Sequence, residues 1–301
     1  MNRSDVTVVI RASGERTEEL CKYIVEKQVP KDQVFLINEK PFWKAVQRTF
    51  EIGIEDGRKW TLAVDADVLL KEGAVSEMVE QASLEGEGLY IYQGYVEDYV
   101  FGEPREGGPH LYSTAWLQSA LGVLESNGES LRPESDTYHV LSQRNGAIMK
   151  VDDRVFGFHD FFQYKFDLMR KAHIHAIKHN EDAWDLLFIK HWARLSNVDD
   201  AKALFQGWTN GKTSLASQYY LEDLKCVFEK LEFSELVDIS NIEFEFLYQS
   251  LKVNPTTHSL KKKIIPQPQE PKRNMILFFL GKVFFKLHLV MLSISIYFKK
   301  I

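Results

Sequence analysis

The chain has 301 residues, 45% of them hydrophobic and 27% charged, an ordinary globular composition that excludes wholesale disorder. The 37 Lys and Arg residues are outnumbered by 43 Asp and Glu residues, and the net charge of −6 argues against a nucleic-acid partner for the chain as a whole. Its two cysteines, Cys21 and Cys226, exclude a disulfide scaffold and a cysteine-based zinc site. Residues 1–10 show no secretory signal pattern, and we expect a cytoplasmic location.

Strands and helices alternate in the first part of the chain. The predicted strands are 6–10, 33–37 and 60–64, and the predicted helices are 15–28, 42–56 and 73–83. This alternation is typical of a parallel α/β sheet with helices on its faces. Ligands bind such sheets beyond the carboxyl ends of the strands. We therefore expect the polar loops 11–15, 38–40 and 65–67 to converge.

The pattern is less regular after residue 88. Strands are predicted at 89–92 and 145–149, a loop rich in Gly and Pro at 102–109, and helices at 111–124, 161–195 and 200–247. Prolines and lysines dominate residues 254–273, a composition typical of a linker.

Asp65 and Asp67 form the most informative pattern, because two carboxylates at positions i and i+2 directly follow an apolar strand. Where a strand ends, the chain can turn both toward one ion. Hard oxygen ligands of this kind suit Mg²⁺ or Mn²⁺, which is commonly held by one or two carboxylates plus substrate phosphates. Such an ion neutralises charge on a departing phosphate. The alternative is a pair of solvated turn residues.

Four segments, in order along the chain, resemble GT-A glycosyltransferases, which use nucleotide-sugar donors. Residues 60–70 resemble the D-x-D segment and residues 7–13 the first strand with its nucleotide-contacting loop. Residues 46–53 resemble the helix before the D-x-D strand, and residues 157–160 the late histidine motif. Each motif is short, and their common order carries the resemblance, which is family-2-like without a clear subfamily. It implies a mixed, mainly parallel sheet flanked by helices.

The resemblance also assigns roles to individual residues. It implies a Mn²⁺ or Mg²⁺ ion held by Asp65, Asp67 and His159, with Asp160 orienting the histidine. It implies a UDP- or GDP-sugar donor contacted by residues at the strand ends and on the second helix: Arg11, Ala12, Ser13, Glu39, Arg48 and Asp65.

An inverting transfer needs a base for the acceptor hydroxyl. In the resembling family this carboxylate lies between the D-x-D and the late histidine, which makes Glu134 and Asp136 the preferred candidates and Glu97 and Asp98 the alternatives. A retaining transfer needs no such base. The alternative interpretation of these four residues is that they are ordinary solvated acids in loops. Residues 107–112 are a candidate acceptor loop.

Four regions follow from this interpretation. Residues 1–170 form the nucleotide-sugar-binding and catalytic domain, 171–253 a helical region, 254–273 a linker and 274–301 an amphipathic tail. Residues 275–298 are strongly apolar but interrupted by Lys282 and Lys286, which favours an anchor lying in the surface of an anionic membrane over a helix that spans it. The alternative is a helix docked on its own domain or on a second subunit.

The sequence thus predicts a metal-dependent glycosyltransferase that transfers a hexosyl or related group to a glycan or lipid-linked acceptor, at the inner face of a membrane. A phosphatase of the haloacid-dehalogenase type also has Asp-x-Asp after a strand, but its usual small residues do not follow here. Nucleotidyltransferases share much of the architecture but need a loop richer in glycine than 13–16. A non-catalytic, membrane-associated scaffold is the third alternative.

Overall fold

The computed structural model describes residues 5–127, 129–130, 132–178, 187–188, 190–195 and 197–213. The strands are β1 (Val6–Arg11), β2 (Val34–Ile37), β3 (Trp60–Asp65), β4 (Val68–Leu70), β5 (Leu89–Asp98), β6 (Pro104–Glu106), β7 (His110–Ser113) and β8 (Ile148–His159). The helices are α1 (Glu18–Glu26), α2 (Phe42–Asp56), α3 (Ala74–Ala82), α4 (Leu117–Asn127), α5 (Pro133–Asn145), α6 (Lys165–Lys178) and α7 (Val198–Thr213).

The strands form one mixed sheet in the order β2-β1-β3-β7-β5-β8-β4, with β6 paired to β5. Its two longest pairings, β1 with β3 and β5 with β8, are parallel, as is the pairing of β1 with β2. The pairings of β7, β4 and β6 are antiparallel. The mixed α/β class predicted from the sequence is therefore confirmed.

The sheet curls, and the short connection between β3 and β4 shows why. These strands are joined by Ala66 and Asp67 alone, yet β7, β5 and β8 lie between them in the hydrogen-bonding order. In a flat sheet those strands would separate β3 from β4 by roughly 19 Å, at about 4.8 Å per step. Three residue steps span at most about 11 Å. Curling brings the end of β3 close to β8 and β5.

Helices cover both faces of the sheet. On one face, Leu20 and Ile24 of α1 pack with Met78 of α3 against the inward side chains of β1 and β3. On the other face, Phe50 of α2 and Leu117 of α4 pack with β7 and α5. β1 is buried along its whole length, as expected for a central strand with helices on both sides. The carboxyl end of the sheet is left for polar side chains.

The last described helices pack beside the sheet around an aromatic cluster that includes Phe188, Trp192 and Trp208. α7 crosses α6 closely at Gly207, where a Cβ would collide with the carbonyl of Met169. The opposite side of α6 is therefore free to face the sheet.

The structure refines several predicted elements. The strand–helix alternation through residue 82 is confirmed with small shifts at the ends, and α2 has the predicted bounds, closed by Gly57 at φ 68°. β5 and β8 are much longer than predicted, because polar residues such as Gln93 and Asp152 interrupt their apolar pattern. The predicted helix 111–124 is wrong at its start, where residues 110–113 form β7. The predicted loop 102–109 contains β6, and α5 was not predicted.

The linker and amphipathic tail predicted at 254–301, and the predicted helices beyond residue 213, lie outside the described residues. Within the residues that are described, none of the helices combines the length and apolar composition needed to cross a bilayer. The boundary predicted at residue 170 falls inside α6.

A pair of helix glycines tests the packing of α2 on the sheet. A Cβ on Gly53 would collide with Thr61 and lie 2.6 Å from a methyl of Leu117, whereas one on the exposed Gly122 of α4 meets nothing within 4 Å. We expect Gly53→Ala to destabilise the protein by about 1–3 kcal/mol through overpacking. Gly122→Ala should stabilise it by roughly 0.5–1 kcal/mol through helix propensity. In thermal unfolding, the melting temperature should fall for Gly53→Ala and rise for Gly122→Ala. Equal shifts in the two variants would contradict this packing.

Candidate functional site

The register of β8 assembles the first part of the site. Its last residue, His159, pairs with Asp98 of β5 on one side and with Val68 of β4 on the other. Asp67 therefore lies beside the residue that follows β8, and the backbone N–H of Asp160 donates to the carbonyl of Asp67 at 3.1 Å. Three segments that are distant in sequence thus meet at the carboxyl end of β3.

Among the described residues, one group of acidic and histidine side chains is close enough together to share one metal ion: Asp67, His159 and Asp160, whose ligand atoms lie within 4.8 Å of one another. All three are buried. Nδ1 of His159 lies 2.7 Å from Oδ2 of Asp98, and because a carboxylate only accepts, a protonated Nδ1 is the form that bonds to it. Nε2 lies 3.5 Å from Oδ1 of Asp67.

Two cations face these carboxylates. The ammonium of Lys171 on α6 contacts both Asp67 and Asp160, and the guanidinium of Arg105 on β6 contacts Asp98. Burial alone would raise the pKa of Asp67, but Lys171 and the other nearby cationic groups outweigh it, and that pKa is well below its ordinary value. The pKa of Asp98 is likewise lowered, because His159 and Arg105 outweigh its burial. Both carboxylates are therefore ionised at neutral pH.

These residues fit a divalent cation. Oδ1 of Asp67 and Oδ2 of Asp160 are buried and accept no hydrogen bond from the described part of the chain. A buried oxygen without a partner is costly, and an ion is one way to satisfy it. The donor set of two carboxylates and one imidazole suits Mn²⁺ or Mg²⁺. A carboxylate behind the histidine, here Asp98, is the usual support of a metal-binding imidazole.

Arg11 organises a second part of the site. It is paired in register with Asp65 across β1 and β3, and its Nε donates to Oδ1 of Asp65 at 2.7 Å. Its Nη1 donates to Oε1 of Glu134, in the first turn of α5, at 2.8 Å. The same oxygen of Glu134 accepts from the hydroxyl of Tyr112 and lies 3.1 Å from Nδ1 of His110. A buried arginine thus joins the D-x-D strand to α5 and β7.

The two aspartates of the D-x-D pattern therefore have different surroundings. Asp65 turns to Arg11, and burial, with help from Asp67 and Glu134, raises its pKa against the opposing charge of Arg11. Asp67 turns to Lys171 and His159. In Glu134, burial would raise the pKa, but Arg11 and His110 outweigh it and hold that pKa well below its ordinary value.

The remaining predicted site residues lie partly in loops at the strand ends and partly on helices. Ala12 is buried at the end of β1, and the exposed Ser13 donates to Glu15 through both its N–H and its hydroxyl. Glu39 is exposed in the loop after β2. Arg48 pairs with two glutamates of its own helix α2, and Asp136 accepts from the hydroxyl of Ser130.

Sequence reasoning misses two residues of the site, Arg105 and Lys171. Arg105 lies in a short strand that the apolar pattern does not reveal, and Lys171 lies 104 positions after Asp67 in a helix without a motif. His110 and Tyr112 fall in the predicted acceptor loop but occur on β7 with their side chains directed to Glu134. The contacts of these four residues follow from the tertiary fold, and no local sequence pattern shows them.

No family profile matches the sequence, and no curated protein matches it significantly. Similar solved structures include a glycosyltransferase involved in glycosylation of the major capsid of PBCV-1, at 13% identity and TM-score 0.37, covering 49% of this chain and 81% of that one. A cytidylyltransferase from Leptospira borgpetersenii has 8% identity, TM-score 0.36 and coverages of 72% and 99%. The mannosyltransferase PcManGT from Pyrobaculum calidifontis, in complex with GDP-Man and Mn²⁺, has 10% identity, TM-score 0.34 and coverages of 82% and 84%. With TM-scores below 0.5, the function has to be inferred from the chemistry of the site.

Glu134 is tested by its contribution to stability. Removing its charge leaves Arg11 with Asp65 alone, and breaking a buried ion pair costs about 3–5 kcal/mol. Because Asp65 remains, we expect Glu134→Gln to lower the free energy of unfolding by roughly 2 kcal/mol at pH 7. The pKa of Glu134 is lowered by folding, so its contribution is complete well above the unfolded value of 4.5 and is lost as the pH falls below it.

Denaturant unfolding of wild type and Glu134→Gln between pH 3 and pH 7 checks this expectation, and the difference should shrink toward pH 3. Asp136→Asn, on the same helix, is the matched control and should cost less than about 1 kcal/mol. Wild-type stability of Glu134→Gln at pH 7, with a large loss of turnover, would instead identify Glu134 as a catalytic base.

Proposed function

We propose that this protein is a glycosyltransferase that transfers a sugar from a nucleoside-diphosphate sugar, with a divalent cation held by Asp67, His159 and Asp160. The observation that carries the proposal is a pair of buried carboxylate oxygens that accept no hydrogen bond from the described residues and lie beside a histidine whose Nδ1 is 2.7 Å from Asp98. When bound, Mn²⁺ or Mg²⁺ would neutralise the charge that develops on the departing diphosphate.

The backbone around these ligands supports this assignment. Asp160 and Phe162 both have positive φ, at 64° and 63°, a conformation that costs a residue other than glycine about 1–3 kcal/mol. The loop is held by the bond from Asp160 to the carbonyl of Asp67 and by the amide of Gln163, which donates to Thr17 at 2.8 Å. Such a conformation persists only where its surroundings determine it, and it directs the carboxylate of Asp160 toward Asp67 and Lys171.

The donor nucleotide is assigned to the loops after β1 and β2. Ser13 and Glu39 are exposed there and offer a hydroxyl and a carboxylate to a nucleoside. Asp65, whose side chain is 34% exposed, is oriented by Arg11, and in this proposal it contacts the ribose. Arg48 is less suited to this role, because its guanidinium is engaged by glutamates of α2. The nucleoside is a UDP or GDP derivative in this proposal.

The acceptor base is the least constrained part of the proposal. Glu134 shares one oxygen among Arg11, His110 and Tyr112, and its lowered pKa makes it a weak proton acceptor. We therefore favour Glu134 as the residue that fixes Arg11 and, through it, Asp65. Asp136 stays a predicted base, and a retaining transfer would need neither. A glycan or lipid-linked acceptor and attachment through the tail remain predictions.

A haloacid-dehalogenase-type phosphatase would use the first aspartate, Asp65, as its nucleophile. Here Oδ1 of that residue accepts a 2.7 Å bond from the buried Arg11, which lowers its nucleophilicity. This contact favours the glycosyltransferase over the phosphatase.

Binding of metal and nucleotide tests the proposal. We expect Mn²⁺ with UDP or GDP to raise the melting temperature, since a ligand at 100 times its Kd stabilises the folded state by about 2.7 kcal/mol. Asp67→Asn should remove most of that ligand-induced shift. Asp199→Asn, which removes an exposed carboxylate on α7, should retain it. The measured quantity is the shift caused by ligand in each variant, so that a change in basal stability does not enter.

A panel of nucleotide sugars, assayed for Mn²⁺-dependent release of the diphosphate, then identifies the donor. Phosphate release from simple esters without any nucleotide dependence would support the phosphatase. Absence of both metal and nucleotide binding would support the scaffold.

A further inference from the structure

We propose that Lys171 is a resident cation of this site: its ammonium bridges Asp67 and Asp160 while no divalent cation is bound, is displaced when the divalent cation enters, and then binds the diphosphate of the donor. This inference rests on the proposed function and extends it to a residue of the helical region that no motif indicates.

The contacts of Lys171 place it in competition with a metal. Its Nζ contacts Oδ2 of Asp67 and Oδ1 of Asp160, which are two of the four carboxylate oxygens of the ligand group. The other two oxygens face His159, with Oδ1 of Asp67 3.5 Å from Nε2 and Oδ2 of Asp160 3.2 Å from Nδ1. An ion that binds His159 and the oxygen of each carboxylate that Lys171 does not hold would therefore lie directly beside the ammonium.

The charges explain why the ammonium leaves. The carboxylates of Asp67, Asp98 and Asp160 face the cations of Lys171 and Arg105, so the group has one net negative charge when His159 is neutral. A metal-binding imidazole must be neutral. Without the metal, Lys171 faces two net negative charges from the other groups, and a divalent cation cancels them. The ammonium then loses its net attraction to the group and lies close to another cation in a buried site, where screening is weak. The diphosphate restores an anion for the ammonium to bind.

The position of α6 allows this movement. Met169 and Ala172 belong to the aromatic cluster, and Met169 is in contact with Gly207 of α7, so packing fixes the backbone of the helix. Lys171 lies on the other side of the helix, with 13% of its side chain exposed. A lysine has a flexible four-carbon stem and three donors on its ammonium, which suits a charge that changes partners.

Titration with Mn²⁺ alone tests the competition. Lys171→Met should bind Mn²⁺ at least about tenfold more tightly than wild type, measured by calorimetry or by the electron paramagnetic resonance of free Mn²⁺, because the competing cation is gone. In saturating Mn²⁺ the same variant should bind UDP or GDP at least about tenfold more weakly, because a phosphate ligand is gone. Lys171→Arg retains a positive charge at this position and should bind Mn²⁺ no more tightly than wild type does. Lys202→Met, an exposed lysine on α7, is the matched control and should leave both affinities unchanged.

A lysine that only stabilises buried acids would not produce opposite effects on the two ligands. Unchanged or weaker Mn²⁺ binding in Lys171→Met, or unchanged diphosphate binding, would overturn the inference.

A measurement on the wild-type protein covers the case in which Lys171→Met does not fold. The acetylation rate of Lys171, followed by peptide mass spectrometry, should rise with Mn²⁺ alone and fall again when UDP or GDP is added. A rate that Mn²⁺ leaves unchanged would also overturn the inference. The proposed function is tested apart from it: if Asp67→Asn abolishes the joint shift by Mn²⁺ and nucleotide while Lys171 shows neither effect, the function stands and only the role of Lys171 fails.

Discussion

The pairing register of β8 is the constraint on which the site depends. His159 faces Asp98 and Asp67 only because β8 lies between β5 and β4 with this residue opposite Asp98 and Val68. A slip by one residue would turn every side chain of β8 to the other face of the sheet. Gly157 helps to fix the register, since a Cβ there would lie 2.9 Å from the carbonyl oxygen of Leu69. The site also requires the curl of the sheet, because the curl lets the two residues after β3 reach β8.

The same geometry gives the two aspartates of the D-x-D pattern different partners. Ala66 donates its N–H to the carbonyl of Arg11, which fixes the turn between the two aspartates. Asp65 is the last residue of β3 and pairs with Arg11 of β1, whereas Asp67 lies beside His159. Burial dominates the pKa of Asp65, and cations dominate that of Asp67. The spacing i, i+2 therefore joins the side chains around Arg11 to those around His159, rather than placing two equivalent carboxylates side by side.

Local sequence patterns predict the α/β framework well and the site in part. The apolar strand before Asp65 and the glycine after α2 are local signals, and both led to the right element. Asp67 was predicted because it follows an apolar strand, whereas His159 was predicted only from the resemblance of residues 157–160 to the late histidine motif. Arg105 and Lys171 could not be found this way, because their significance comes from contacts across the sheet with residues that are distant in sequence. The length of β8 was missed for a related reason: its polar residues are stabilised by partners, such as the hydroxyl of Tyr92 on Asp152, that a sequence window does not contain.

α6 connects the residues beyond the sheet with the carboxylates at the end of the sheet. A boundary at residue 170 separates the sheet from the helices by composition, yet Lys171 is in contact with two residues at the end of the sheet. Its carboxylate partners are buried, and without a cation their mutual repulsion would act in a medium that screens weakly. The helix must therefore be present for the ligand group to be stable without a metal. The packing of α6 on α7 through Gly207 thus supports the position of Lys171 beside Asp67 and Asp160 from outside the sheet.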